Sequence, residues 1–181
     1  MKKLVTALVL CVMFTVVSCK NDTKQTDVES SMEQQQVAAF QHQQQEISAR
    51  FTDSLHGVVF KHYIGLKTAL INTDATKAST AASELLTAYS NIGVDDPVFT
   101  AAQTIAEATD VETQRRAFTE VTGHVESMLT DGLSSGAIYK QFCPMAFNNE
   151  GGYWLSESSE IANPYFGDKM YRCGKVTDEI K

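Results

Sequence analysis

The stretch Arg50-Phe51-Thr52-Asp53-Ser54-Leu55-His56-Gly57-Val58-Val59-Phe60-Lys61-His62-Tyr63-Ile64-Gly65-Leu66-Lys67-Thr68-Ala69-Leu70-Ile71-Asn72 decides how the chain folds. Leu55, Val59, His62, Leu66 and Leu70 recur at three- and four-residue steps, with Tyr63 beside them. That is the period of one face of an α-helix, and it predicts a helix over about residues 50–72. Asn72-Thr73-Asp74 ends this helix and supplies a cap for the next, whose apolar face is Ala78, Ala82, Leu85 and Tyr89, widened by Leu86. Asn91-Ile92-Gly93 is a stop signal. Asp96-Pro97 opens a short third helix with Val98, Ala101, Ala102 and Ile105, since proline suits the first helical position. Asp110 caps a fourth, where Val111, Gln114, Phe118, Val121, Val125 and Met128 share a side. Gly132 to Gly136 breaks it. Four helices with short connections predict a mainly α fold, an antiparallel four-helix bundle. There is no dinucleotide glycine pattern and no internal repeat.

After Gly136 the texture changes. Glycines 136, 151, 152, 167 and 174 and prolines 144 and 164 punctuate short aromatic runs. Ala137 to Phe142 and Tyr153 to Leu155 read as short strands or irregular extended pieces. This turn-rich segment is expected to lie against the bundle, so residues 47–181 form one folded domain.

Upstream the chain is of another kind. Lys2 and Lys3 precede an apolar run, Leu4 to Val17, that is short for a bilayer span. Val16-Val17-Ser18-Cys19 ends it and resembles a bacterial lipoprotein signal; an ordinary secretory peptide with an incidental cysteine is the other reading. The resemblance implies that residues 1–18 are a signal peptide and that Cys19 becomes the lipidated N-terminus. The membrane is then a partner through that lipid. Lys20-Asn21 follows, with no Asp directly after the cysteine, which points to the outer membrane, facing the periplasm or the cell surface. Residues 19–46 hold a glutamine-rich run with few apolar residues to drive ordering, and read as a flexible tether. Loss of the two lysines takes the formal charge from −7 to −9. An acidic chain repels nucleic-acid phosphates, and no nucleic acid is expected as a partner.

Cys11 leaves with the signal and Cys19 takes the lipid, so Cys143 and Cys173 remain. Two soft pairs, Cys143/Met145 and Met170/Cys173, flank the aromatic loop. Two readings stand on these residues alone. Exported cysteines pair as disulfides, here closing a loop worth about 3–4 kcal/mol, while the methionines fill core gaps. Alternatively thiolates and thioethers together hold a soft ion such as Cu(I). His124, four residues before Met128, borders the apolar face of the fourth helix and is an outside candidate ligand. His62 falls on the stripe of the first helix and reads as a core histidine, while His56 and His42 face solvent. Ser156, Ser158 and Ser159 have acidic neighbours, but no histidine in that segment to activate them. Glu157, Glu160 and Asp168 read as solvated loop carboxylates, and no enzyme is expected. Arg115 or Arg116 reads as a partner for a carboxylate of the C-terminal segment, with the other on a solvated face. Tyr153, Trp154, Tyr165, Phe166 and Tyr171 read as the apolar glue between that segment and the helices.

The run Tyr139…Cys143-Pro144-Met145, Trp154-Leu155-Ser156, Ile161, Asn163-Pro164-Tyr165-Phe166-Gly167 and Met170…Cys173-Gly174 resembles a domain of unknown function of Bacteroidota-type exported proteins. That domain is also appended to CusB-like periplasmic adaptors of heavy-metal efflux pumps. Tyr63, Leu66, Ala69-Leu70, Asp74, Asp110, Gln114-Arg115 and Phe118 resemble its helical part, and the likeness is read over about residues 50–177. It implies an envelope module for copper or silver, with Cys143, Met145, Met170 and Cys173 as ligands and efflux components as partners. No adaptor hairpin or barrel region is present, so a lipoprotein that binds, buffers or hands over metal is implied rather than a pump adaptor.

Overall fold

Three aspartates start three of the helices by one device, a side-chain oxygen that accepts an otherwise unpaired backbone N–H. Asp53 caps α1 (Ser54–Ile71) through Leu55 N at 2.8 Å. Asp74 caps α2 (Ala75–Ile92) through Lys77 N at 2.9 Å. Asp110 caps α4 (Val111–Leu129) through Thr113 N at 2.8 Å. Between them lies α3 (Asp96–Glu107). Gly93 ends α2 in the left-handed conformation that the stop signal calls for. This computed structural model describes residues 48–181, apart from 95 and 131, all within one compact unit. The signal segment 1–18, Cys19, the tether 19–46 and His42 fall outside the described residues.

The chain is mainly helical, with antiparallel strands in its C-terminal part. Consecutive helices pack side by side, and α1 also meets α4. The buried faces of α2, α3 and α4 are those the spacing predicts: Ala78, Ala82, Leu85 and Tyr89; Ala101, Ala102 and Ile105; Phe118, Val121 and Val125. On α1 the face is rotated. Leu55 is 41% exposed, and the buried positions are Val59, Phe60, Tyr63, Ile64, Leu66, Lys67, Ala69, Leu70 and Ile71. The helix begins only at Ser54, which leaves Leu55 in its first turn. His62 stands at the edge of the buried face, not in the core, and pairs with Glu84 of α2 at 3.2 Å.

Two small sheets complete the fold. β1 (Arg50–Phe51) pairs antiparallel with β2 (Leu133–Ser135). β3 (Ile138–Cys143) lies between β4 (Gly152–Ser156) and β5 (Lys175–Ile180), antiparallel to both. Cys143 faces Gly152 and Gln141 faces Trp154 across β3 and β4. α4 packs on β4, so the C-terminal segment lies against the helices as expected. The hairpin from β3 to β4 is unusual. Phe147, Asn148 and Asn149 all have positive φ, at 52°, 60° and 72°. Asparagine tolerates this conformation, but phenylalanine rarely adopts it. The Phe147 ring is held in place, 5.1 Å from that of Tyr165, with the Arg116 guanidinium 4.6 Å from its centroid.

Candidate functional site

β3 delivers Cys143 at its end, and the turn before β5 delivers Cys173. Their sulfurs lie 3.0 Å apart, although thirty residues separate them in sequence. Both are free thiols, Cys143 buried and Cys173 partly so. The hydrogen bond between the two sulfurs, followed by burial, pushes the Cys173 thiol up to about 11. The spacing is too long for a sulfur–sulfur bond and too short to admit an ion between the sulfurs. Side-chain rotation must part the sulfurs for an ion to enter, and an approach of about 1 Å would bond them.

The methionines are placed differently from the core-filling reading. Met145 is 45% exposed, and Met170 is only partly buried, outside the hydrophobic cluster. Met170 is nevertheless tied to the pair, because its carbonyl accepts the N–H of Cys173 at 2.9 Å across a tight turn. Among the described residues, no set of three or more His, Cys, Asp or Glu side chains is arranged to hold a metal.

The surroundings are aromatic. A Cβ added to Gly174, next to Cys173, would lie 2.8 Å from the Trp154 ring. One added to Gly152, opposite Cys143, would lie 2.6 Å from the Tyr165 ring. Trp154 and Tyr165 meet edge to face at 6.0 Å, and both are buried. They form the expected apolar glue, whereas Tyr153 is largely exposed beneath the Lys140 ammonium.

His124 stands elsewhere on α4, its ring edge-on to Tyr89 of α2 at 5.4 Å. His56 is partly buried, and its Nδ1 lacks a hydrogen-bond partner. Arg116 is exposed and reaches Glu150 of the C-terminal segment at 3.8 Å. Arg115 is the surprise of that pair, 2% exposed and bonded to backbone and side chains alike. Its Nε donates to Pro164 O at 2.8 Å, its Nη2 to Leu70 O and Thr73 Oγ1 at 3.0 Å, and its Nη1 to Glu112 at 2.7 Å.

Sequence reasoning missed a second buried polar group. Lys67 is fully buried and donates to Glu157 Oε2 at 2.6 Å and to Ser156 Oγ at 3.1 Å. Beside it, the Tyr63 hydroxyl accepts Leu155 N at 2.9 Å and meets Thr122 Oγ1 at 3.0 Å. Burial raises the Tyr63 pKa well above the usual phenol value and lowers that of Lys67, the latter against the pull of Glu157. Glu157 is thus a core carboxylate rather than a solvated one, while Glu160 and Asp168 are exposed as expected. The available signal was Lys67 itself, four residues from Tyr63 and seven from Phe60 on the buried face. Ser156 is 1% exposed, and its oxygen already accepts from Lys67 and from Ser158 N. A cavity of about 570 Å³ opens on α3 and α4, lined by Thr100, Thr104, Thr113, Glu112, Arg116 and Glu120, with no sulfur.

No helix among the described residues is long and apolar enough to cross a membrane. No curated protein and no solved structure matches the chain. Residues 59–136 match the model of a family described as Protein of unknown function (DUF3347), a narrower span than the likeness read over 50–177, ending before the first sulfur-bearing strand.

Proposed function

We propose that this chain is a lipid-anchored envelope protein that binds a soft metal ion, Cu(I), in metal homeostasis or in support of heavy-metal efflux. Cys143 and Cys173 would hold the ion, with Met145 and Met170 as the thioether donors. The observation that carries this reading is the sulfur pair at 3.0 Å with both methionines outside the hydrophobic core. Methionines kept only as filler would belong inside it. His124, whose ring stands edge-on to Tyr89, stays an outside candidate to this set. The four long helices are taken as an antiparallel bundle that serves as a platform for the sulfur-bearing sheet. No catalytic role is proposed. Lipid on Cys19 would hold the domain at the outer membrane, on the periplasmic side or at the cell surface, within reach of efflux components.

A second reading uses the same sulfurs. The closeness of Cys143 and Cys173 also suits a disulfide that braces a non-catalytic interaction domain. The reduced protein is titrated anaerobically with Cu(I) against a competing chelator. Uptake of one ion per chain, lost in Cys143→Ser/Cys173→Ser, is the expected result. No uptake, or uptake indifferent to both serines, overturns the metal reading, and two thiols missing from the protein purified without reductant then support the brace.

A further inference from the structure

Cys143 and Cys173 are brought together by unequal means. Cys143 belongs to β3 and is fixed by its ladder with β4, opposite Gly152. Cys173 lies in a turn between a single-turn 3₁₀ helix (Gly167–Lys169) and β5, with no ladder of its own. One buried side chain holds that turn. Asn163 is fully buried, and its Nδ2 donates to Cys173 O at 2.7 Å. Its backbone N–H donates to Tyr171 O at 2.9 Å, and its carbonyl accepts Gly167 N at 3.1 Å. Its Oδ1 accepts Tyr165 N at 2.8 Å and Phe166 N at 3.3 Å. The two ends of this amide therefore do separate jobs: the oxygen shapes the Asn163–Gly167 turn, and the nitrogen grips the backbone of Cys173.

We infer that Asn163 is the positioning residue of the sulfur pair. Through Nδ2 it sets where Cys173 stands relative to Cys143, and thereby the affinity of the pair for a soft ion. The metal part of this inference rests on the proposed function; the positioning part does not. Groups that orient metal ligands from outside the coordination shell typically change affinity about 10–100-fold when removed.

The test is Asn163→Asp in the full chain. It keeps the acceptor that shapes the turn and replaces the donor to Cys173 with a carboxylate oxygen, which repels the Cys173 carbonyl instead of gripping it. Two quantities are read on the folded protein. The first is the equilibrium of the Cys143/Cys173 pair against reduced and oxidised glutathione, which measures how well the two sulfurs are held together without any metal. The second is the Cu(I) affinity against a chelator. Asn163→Asp is expected to weaken both by about tenfold or more, with circular dichroism as for the wild type. Asn163→Gln, which keeps the amide but lengthens its reach, serves as a second variant and is also expected to weaken the pair. A folded Asn163→Asp whose glutathione equilibrium is that of the wild type overturns the inference. If the wild type takes up no Cu(I) yet Asn163→Asp still loosens the thiol pair, the metal reading fails and the positioning role stands. If Asn163→Asp does not fold, the glutathione equilibrium of Asn163→Gln decides, and a wild-type value overturns the inference.

Discussion

Replacing Lys67 with methionine should reveal how the sulfur-bearing sheet is fastened to the helices. Its ammonium lies 2.6 Å from Glu157 Oε2, and the two side chains are 0% and 1% exposed. Removing one partner of such a pair strands the other in a low-dielectric interior, at a cost of about 3–5 kcal/mol. The sign of the pH dependence follows. In Lys67→Met the buried Glu157 carboxyl loses its ammonium, and its folded pKa rises above the unfolded value of about 4.3. The loss is therefore small below about pH 4.3 and grows by about 1.4 kcal/mol per unit as the pH rises toward the new folded pKa. Urea unfolding of wild type and variant between pH 4.5 and 7.5 measures this directly. Lys67→Met/Glu157→Met, which removes both charges, should recover most of the loss, because apolar replacement of a buried pair is often neutral or better. A single variant within about 0.5 kcal/mol of wild type at pH 7, with a deficit flat in pH, would refute the argument.

Other expectations concern the rest of the C-terminal segment and the alkaline limit. Arg115→Lys keeps the charge but cannot reach Pro164 O, Leu70 O and Thr73 Oγ1 together. Stranded buried acceptors at about 1–3 kcal/mol each set the expected loss at about 2–4 kcal/mol in urea unfolding, and a loss below about 0.5 kcal/mol would contradict the bonding described. Cys173 is held up to about 11 from its ordinary 9.0, and burial raises Tyr63, Tyr89 and Tyr165 above 10.0. The folded state therefore keeps protons that the unfolded chain gives up. Stability should be fully present below about pH 9 and fall as pH rises through 9 to 11 and beyond. Cys173→Ser should delay the onset of that fall, and an onset unchanged in this variant would speak against the Cys173 shift.

The helices were legible because their signals are local. Asp74, Gly93 and Asp110 mark ends by chemistry that needs no tertiary partner, and the faces of α2, α3 and α4 repeat regularly. α1 was misjudged by a rotation because Leu55 and His62 fit the period as well as Phe60 and Lys67 do. Only packing decides between such faces, and it placed a lysine inside and a leucine outside. β5 left no trace because Lys175-Val176-Thr177-Asp178-Glu179 is exposed on both faces, so no alternation of apolar and polar residues arises. β1 and β2 are two and three residues long, too short for any pattern. Cys143 and Cys173 meet because of Asn163 and strand register, which a spacing of thirty residues does not encode. Glu157 looked solvated because its sequence neighbours are polar; its true neighbours come from α1, ninety residues away.

The polar fastening of the C-terminal segment bears on how such chains descend. Lys67 and Arg115 lie within residues 59–136, while Glu157 and Pro164 lie beyond them. A helical region inherited without the downstream strands would carry the Lys67 ammonium with neither Glu157 nor Ser156 to receive it, while Arg115 would lose Pro164 O and keep Glu112, Leu70 O and Thr73 Oγ1. Relatives that keep only the helices should therefore bear an uncharged residue at the position of Lys67, and those that keep its charge should also keep a carboxylate at position 157. The two halves of the domain are in that sense one hereditary unit, joined where neither half alone would tolerate the charge.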